Sequence, residues 1–360
     1  MVIELRKTVR ICLLLTLFAL LLSTGTKALE LPDGLMETFP KELEDTIDNQ
    51  SIFDGFLWLA SSASDTFFAL LRDGVRDAAL LTLTAMLCGA AEGMDHDAGG
   101  ATSRYMSLCG VLATVELASG DLRTMIGLGA QTVQELGDLA KFLLPTLSAS
   151  MAAGGYVSTA GLWQVTTLMV CDLLGALIAG VLLPLVYCYI AAAVAEAALG
   201  EGRLALLADG IHKLVTGVLT VSITCFTAYL GVAGVLTGSA DRTTVKMAKL
   251  AVSGAIPVVG GVLSDVTESV LAAAGTLRGT IGAVGVLAIG VLCLTPLLRL
   301  GVHFILYRLA AFVSGFVGPK TLTVFLERLG GAFALVFAMT ASCALLLLVA
   351  LLVAASMTTV

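Results

Sequence analysis

Six residues break the pattern of an otherwise apolar chain: Glu116, Asp172, Pro257, Gly260, Gly261 and Asp265. A carboxylate at mid-membrane costs about 2.5–3.5 kcal/mol to insert, so such groups usually face protein or water. Glu116 sits within a short apolar run and Asp172 between two long uncharged ones. Each is therefore a candidate for a polar pathway or an intramembrane ion pair. The competing reading places both at span ends, near the headgroups. Pro257 and the Gly260-Gly261 pair interrupt a stretch, 250–264, that has 15 uncharged residues and is too short to span comfortably. Proline removes an amide donor and clashes with the preceding turn, and the freed carbonyls then need protein or water. The segment reads either as a broken or re-entrant helix facing a polar route, or as a helical hairpin lying at the interface.

Other chemistry has no residues to carry it. His96, His212 and His303 stand alone, without a second ligand at metal spacing. Gly318-Pro-Lys320-Thr resembles the tail of a phosphate-binding loop but lacks the upstream glycine and the Gly-Lys pair. The sequence contains no G-x-S-x-G elbow, and no nucleophile lies at a credible spacing from a base. Neither a catalytic site nor a cofactor is expected, and ATP-driven work would have to come from a partner.

The elements that must position these residues follow from composition. Of 360 residues, 58% are hydrophobic and 13% charged, where a soluble domain carries roughly 25% charged. Mean hydropathy is +0.99 and the isoelectric point about 5.0. A net charge of −7 excludes a basic nucleic-acid-binding surface. Five windows lack Asp, Glu, Lys, Arg and His altogether: Phe142–Cys171, Leu173–Ala195, Leu214–Ala240, Gly279–Leu298 and Leu329–Val360. A helix crosses about 30 Å of hydrocarbon with about 20 residues, and lipid forces backbone amides to bond within their own segment. Shorter candidates are Ala78–Glu92, Tyr105–Ala118 and Val302–Val317, each a short span, a tilted span or a buried half-helix. The expected fold is all-α, a polytopic helical membrane protein with six to eight transmembrane or re-entrant helices. Pro184, in Leu182-Leu-Pro-Leu185, predicts a kink in a long span.

At the N-terminus, Arg6, Lys7 and Arg10 precede the apolar run Ile11–Leu22 and the small-residue stretch to Ala28. This pattern predicts a signal peptide over residues 1–28, cleaved or retained as an anchor. Residues 29–77 then form an acidic extracytoplasmic segment with eleven acids against three bases. Phe53, Phe56, Leu57, Ala60, Phe67, Leu71 and Val75 approximate helical spacing, which suggests an amphipathic helix at the membrane surface or a small solvated cap. Residues 78–360 form the polytopic domain. The Asp241–Lys249 loop, with Arg242, Lys246 and Lys249, is the better cytoplasmic candidate and a possible docking surface. All eight cysteines lie in apolar segments and read as packing residues. Closely spaced glycines, such as Gly279, Gly282 and Gly285, suit close helix approach.

Several stretches of sequence are distinctive: Leu143-Leu-Pro-Thr-Leu-Ser-Ala-Ser-Met-Ala-Ala-Gly-Gly155, Val181-Leu-Leu-Pro-Leu-Val186, Leu294-Thr-Pro-Leu-Leu-Arg299 and Tyr307-Arg-Leu-Ala-Ala311. The strongest is Thr243-Thr-Val-Lys-Met-Ala-Lys-Leu-Ala-Val-Ser-Gly-Ala-Ile-Pro-Val-Val-Gly-Gly-Val-Leu-Ser-Asp265. With the order of the elements, these stretches resemble the stage III sporulation protein AE family of endospore formers. The resemblance implies a permease-like subunit of a mother-cell assembly that supports the engulfed forespore. Implied partners are the other stage III A proteins, among them a cytoplasmic secretion-type ATPase and ring-forming proteins, and the forespore stage II Q protein. Beyond these, the lipid bilayer is the expected surround, a homo-oligomer stays open, and no nucleic acid is implied. One functional expectation is a transport subunit whose route is lined by Pro257, Gly260 and Gly261, with Asp172. The other is a structural platform that anchors the complex without a route of its own.

Overall fold

The computed structural model describes residues 52–94, 101–153, 157–199, 202–236 and 280–358. These residues are helical, with no strand among them. The helices are α1 (Ile52–Met94), α2 (Ala101–Ala153), α3 (Val157–Leu177), α4 (Leu183–Leu199), α5 (Gly202–Leu236), α6 (Thr280–Val317) and α7 (Lys320–Thr358). At 1.5 Å per residue, α2 is about 80 Å long and α6 and α7 each nearly 60 Å. Among the described residues, five stretches are long and apolar enough to cross a membrane: Ser61–Glu92, Ala160–Leu199, Leu204–Leu230, Gly285–Val317 and Lys320–Ala354. The chain is therefore all-α and of membrane type.

Several sequence windows are joined or divided differently from the reading by charge. Residues 280–298 of the Gly279–Leu298 window and Val302–Val317 belong to one helix, α6, which continues through Arg299 and His303. Phe142–Cys171 is shared between the end of α2 and the start of α3, and Tyr105–Ala118 is an early part of α2. The boundary at 77/78 falls inside α1, which runs unbroken from Ile52 to Met94. The signal peptide at 1–28 lies outside the described residues, as does the beginning of the acidic segment.

Proline placement shows how the backbone adapts. Pro184 has no N–H to offer Gly180, and the turn before it widens into a π-helical stretch, Ile178–Leu182, where the Leu183 N–H donates to the Ile178 carbonyl. This single wide turn joins α3 to α4. Pro145 lies inside α2 without ending it, and Pro296 does the same in α6.

The apolar α7 forms the centre of the bundle. Between Lys320 and Ala354, only Lys320 and Glu327 are exposed. Helices α2, α4, α5 and α6 pack around it, burying Phe325, Phe333, Trp163 and Tyr307. Helices α6 and α7 form a hairpin closed at Gly318-Pro319, where the Gly318 N–H donates to the Ser314 carbonyl at 2.6 Å. This turn rests on α1. A Cβ on Gly89 would collide with the Val317 carbonyl, so only glycine lets the two backbones meet.

Candidate functional site

Helix α2 is not among the apolar spans, yet it lies alongside two of them. Gly110 faces Leu322, Gly129 faces Val336 and Thr340 of α7, Tyr307 of α6 reaches Asp121, and Gly285 of α6 adjoins Leu143. The buried side of α2 is apolar: Ala118, Leu122, Met125, Ile126, Val133, Leu136, Leu139 and Leu143. Its exposed side carries Glu116, Gly120, Arg123, Gly127, Gln131, Gln134, Asp138 and Lys141. These positions step by three or four residues, so they form one helical face. From Glu116 to Lys141 that face is about 38 Å long, more than the hydrocarbon thickness. The Gln131 amide donates to Glu135 at 2.8 Å, and the Lys141 ammonium lies 3.2 Å from Asp138. Asp172 of α3 lies 3.8 Å from the same ammonium.

The exposed surface of the neighbouring helices is different. Helices α3, α4 and α5 and the π-helical turn expose Leu162, Val165, Met169, Leu173, Val181, Tyr187, Leu214 and Val221. Such a surface suits lipid, while the α2 face does not: a charge presented to hydrocarbon costs kilocalories. The bundle thus has an apolar flank and a polar one.

A second polar element ties α7 to the α4–α5 hairpin. Arg328 is 13% exposed and Glu196 17%. The guanidinium Nε lies 2.8 Å from Glu196 Oε2, an ion pair too poorly aligned for a hydrogen bond, as both atoms lack any such partner. Nη1 donates to Asp209 at 2.9 Å and Nη2 to Glu196 Oε1 at 3.4 Å. The Tyr189 hydroxyl donates to the Arg328 carbonyl at 3.0 Å. One planar guanidinium can satisfy two carboxylates from different helices because its donors form a fork. Nearby, Arg308 pairs with Glu327 at 2.9 Å on the exposed side of the α6–α7 hairpin.

A small cavity of about 20 Å³ lies between α2, α3 and α7, lined by Val133, Leu136, Cys171, Leu174, Cys343 and Leu347. It is apolar and holds at most one water, so it offers no conduit.

With this arrangement in view, the comparisons place the chain. The family model for stage III sporulation protein AE matches residues 79–358. The chain belongs to that family. A curated relative, the stage III sporulation protein AE of Bacillus subtilis (strain 168), is 23% identical over 318 residues, covering 88% of this chain and 79% of the relative. No solved structure matches. A role in sporulation follows from the family. The matched residues include the whole polar face of α2 and the whole arginine cluster.

Of the residues singled out from sequence, Glu116 is exposed at one end of the α2 face. Asp172 is exposed on α3, 3.8 Å from Lys141, near the other end. Pro257, Gly260, Gly261 and Asp265 lie outside the described residues, as do Arg242, Lys246 and Lys249. Arg123, Gln131, Gln134, Asp138 and Lys141 are not among the sequence expectations, because they lie outside the uncharged windows. The 3–4 spacing of these polar residues, opposite an apolar face of the same period, was the available signal.

Proposed function

We propose that this chain is the permease-like integral membrane subunit of a stage III A sporulation complex, seated in the mother-cell membrane around the forespore. Its route would run along the polar face of α2. The observation that supports this reading is a charged and amide-bearing face, about 38 Å long, set beside two membrane-crossing helices. Water or protein must cover such a face, and a hydrated strip beside a bilayer is a path for polar solutes. Residues 237–279, which hold Pro257, Gly260 and Gly261, would contribute to the same route. A secretion-type ATPase, ring-forming proteins and the forespore stage II Q protein are the proposed partners, and the energy would come from the ATPase. In the alternative reading, a structural platform, the polar face is a protein-binding surface and stays dry.

Thiol labelling separates the two. Cysteines placed at Gly127, Gln131 and Gln134 in membranes of sporulating cells should react with a charged, impermeant maleimide. Protection at all three positions, with reaction at an exposed loop control, would overturn the permease reading and favour the platform.

A further inference from the structure

Helices α6 and α7, of 38 and 39 residues, are nearly twice as long as the hydrocarbon is thick. A bilayer can therefore surround only about half of the bundle. We infer that lipid covers the half remote from the α6–α7 turn, and that the turn end projects beyond the hydrocarbon. Gly301 of α6 and Phe337 of α7 mark the division, a Cβ on the glycine lying 3.8 Å from the ring. From there to Thr358, α7 extends about 32 Å, and α6 covers about the same length back to Thr280. Over those lengths the two helices carry a single charged residue, Arg299, at the division itself. Helix α5 has none from Leu214 to Leu236. Helix α3 has only Asp172, 3.8 Å from Lys141 of the polar α2 face.

The turn side is the opposite. Five helices expose charge there: Asp77 of α1, Glu116 of α2, Asp209 of α5, Arg308 of α6 and Glu327 of α7. Contacts fix their depth. Gly74 of α1 meets Leu306 and Gly110 of α2 meets Leu322, while Arg328 bonds to Asp209 and Arg308 to Glu327. Asp65 of α1 falls only about one turn past the division, between the Leu59–Gly290 and Gly74–Leu306 contacts. The charge-free runs on the turn side are also too short to cross. Residues 78–91, 105–115 and 309–319 make runs of 14, 11 and 11, against about 20 needed. Leu206, Leu207, Phe312 and Phe316 are exposed on this side too, but the two kinds of exposure are not equivalent. Apolar side chains are ordinary on a surface in water, whereas exposed charges are not tolerated in hydrocarbon.

The full-length chain carries native reporters of both halves. Cys109, beside Gly110, is exposed on the turn side, and exposed Cys225 lies 16 residues, about 24 Å, beyond Asp209 on α5. Each can be spin-labelled in turn in liposomes of phosphatidylethanolamine and phosphatidylglycerol, with the other exposed cysteines, Cys188 among them, replaced by serine. Phe312→Cys and Val165→Cys add a second site to each half, and the chain with all three exposed cysteines replaced sets the background. Oxygen concentrates in hydrocarbon and a nickel chelate in water. The ratio of oxygen to chelate relaxation should be several-fold higher at Cys225 and Val165→Cys than at Cys109 and Phe312→Cys. An equal ratio at the four sites, or the reverse order, would overturn the inference. Lysine substitution gives an independent reading in cells. Leu207→Lys and Phe312→Lys should leave membrane-fraction abundance unchanged, while Val165→Lys lowers it several-fold. Equal losses at the three positions would place the turn end in lipid as well and overturn the inference.

Discussion

The Tyr307 hydroxyl donates a hydrogen bond of 3.0 Å to Asp121 Oδ2, joining α6 to α2 across 186 residues of chain. Tyr307 is buried, and its ring packs on Phe333 with centroids 4.7 Å apart. The aromatic body is therefore fixed by the α6–α7 hairpin, and the hydroxyl ties α2 to that hairpin at Asp121. Tyr307→Phe keeps the ring and removes the donor. A hydrogen bond to a charged group contributes about 1.5–3 kcal/mol when buried, and about 1 kcal/mol is expected for half-exposed Asp121. Thermal unfolding in detergent should show a lowered midpoint for Tyr307→Phe and a smaller loss for Asp121→Asn, which keeps an acceptor. An unchanged midpoint in Tyr307→Phe means the bond does not position α2.

Arg328 should be the most sensitive charged residue among those described. Removing it leaves Glu196 buried without a counter-ion, a defect of about 3–5 kcal/mol. Arg328→Lys should also fail, because a point charge cannot serve Glu196 and Asp209 together. Asp209→Asn, at an acid 57% exposed, should cost less than about 1 kcal/mol. The double variant Arg328→Met with Glu196→Gln should recover much of the loss, since no charge is then stranded. Unfolding midpoints of the single and double variants give the coupling. Additive losses would refute a shared cluster.

How much of this was readable beforehand differs from helix to helix. The apolar character of α7 is plain in Leu329–Val360, because helix formation and burial both follow from an uncharged run. The unity of α6 was hidden by Arg299 and His303. A charged side chain on an exposed face does not interrupt backbone hydrogen bonds, so charge-free windows understate helix length. The α2 face was legible in principle from its period, but only if polar residues beside a membrane span are counted as a face. The Arg328 cluster was not legible at all. Its partners are 119 and 132 residues away in sequence, and only tertiary packing brings α4 and α5 to α7.

Glycine substitutions should separate packing from open surface. Gly89→Ala places a methyl group against the Val317 carbonyl, where backbone cannot yield cheaply, and an overpacking loss of about 1–3 kcal/mol follows. Gly127→Ala meets nothing within 4 Å, and alanine stabilises a helix by roughly 0.5–1 kcal/mol relative to glycine. Fluorescence-detected size exclusion after a heat step should show loss of the folded peak for Gly89→Ala and none for Gly127→Ala. Equal behaviour of the two would mean that the α6–α7 turn does not sit on α1 as described.

The two flanks of the bundle should respond oppositely to the same substitution. Met169 is exposed on the apolar flank of α3, so Met169→Arg presents a charge to lipid at about 2.5–3.5 kcal/mol near the bilayer centre. Gln131→Arg adds a charge to a face that already holds Arg123 and Lys141, and should leave folding intact. Membrane-fraction abundance should therefore fall for the first variant and hold for the second. Gln131→Leu combined with Gln134→Leu should also preserve abundance, because neither side chain is buried, while heat-resistant spore counts drop as the polar strip is broken near its middle. A double-leucine chain that supports normal sporulation would show that the polarity of α2 at that depth serves no function, and would remove the main support for a route along it.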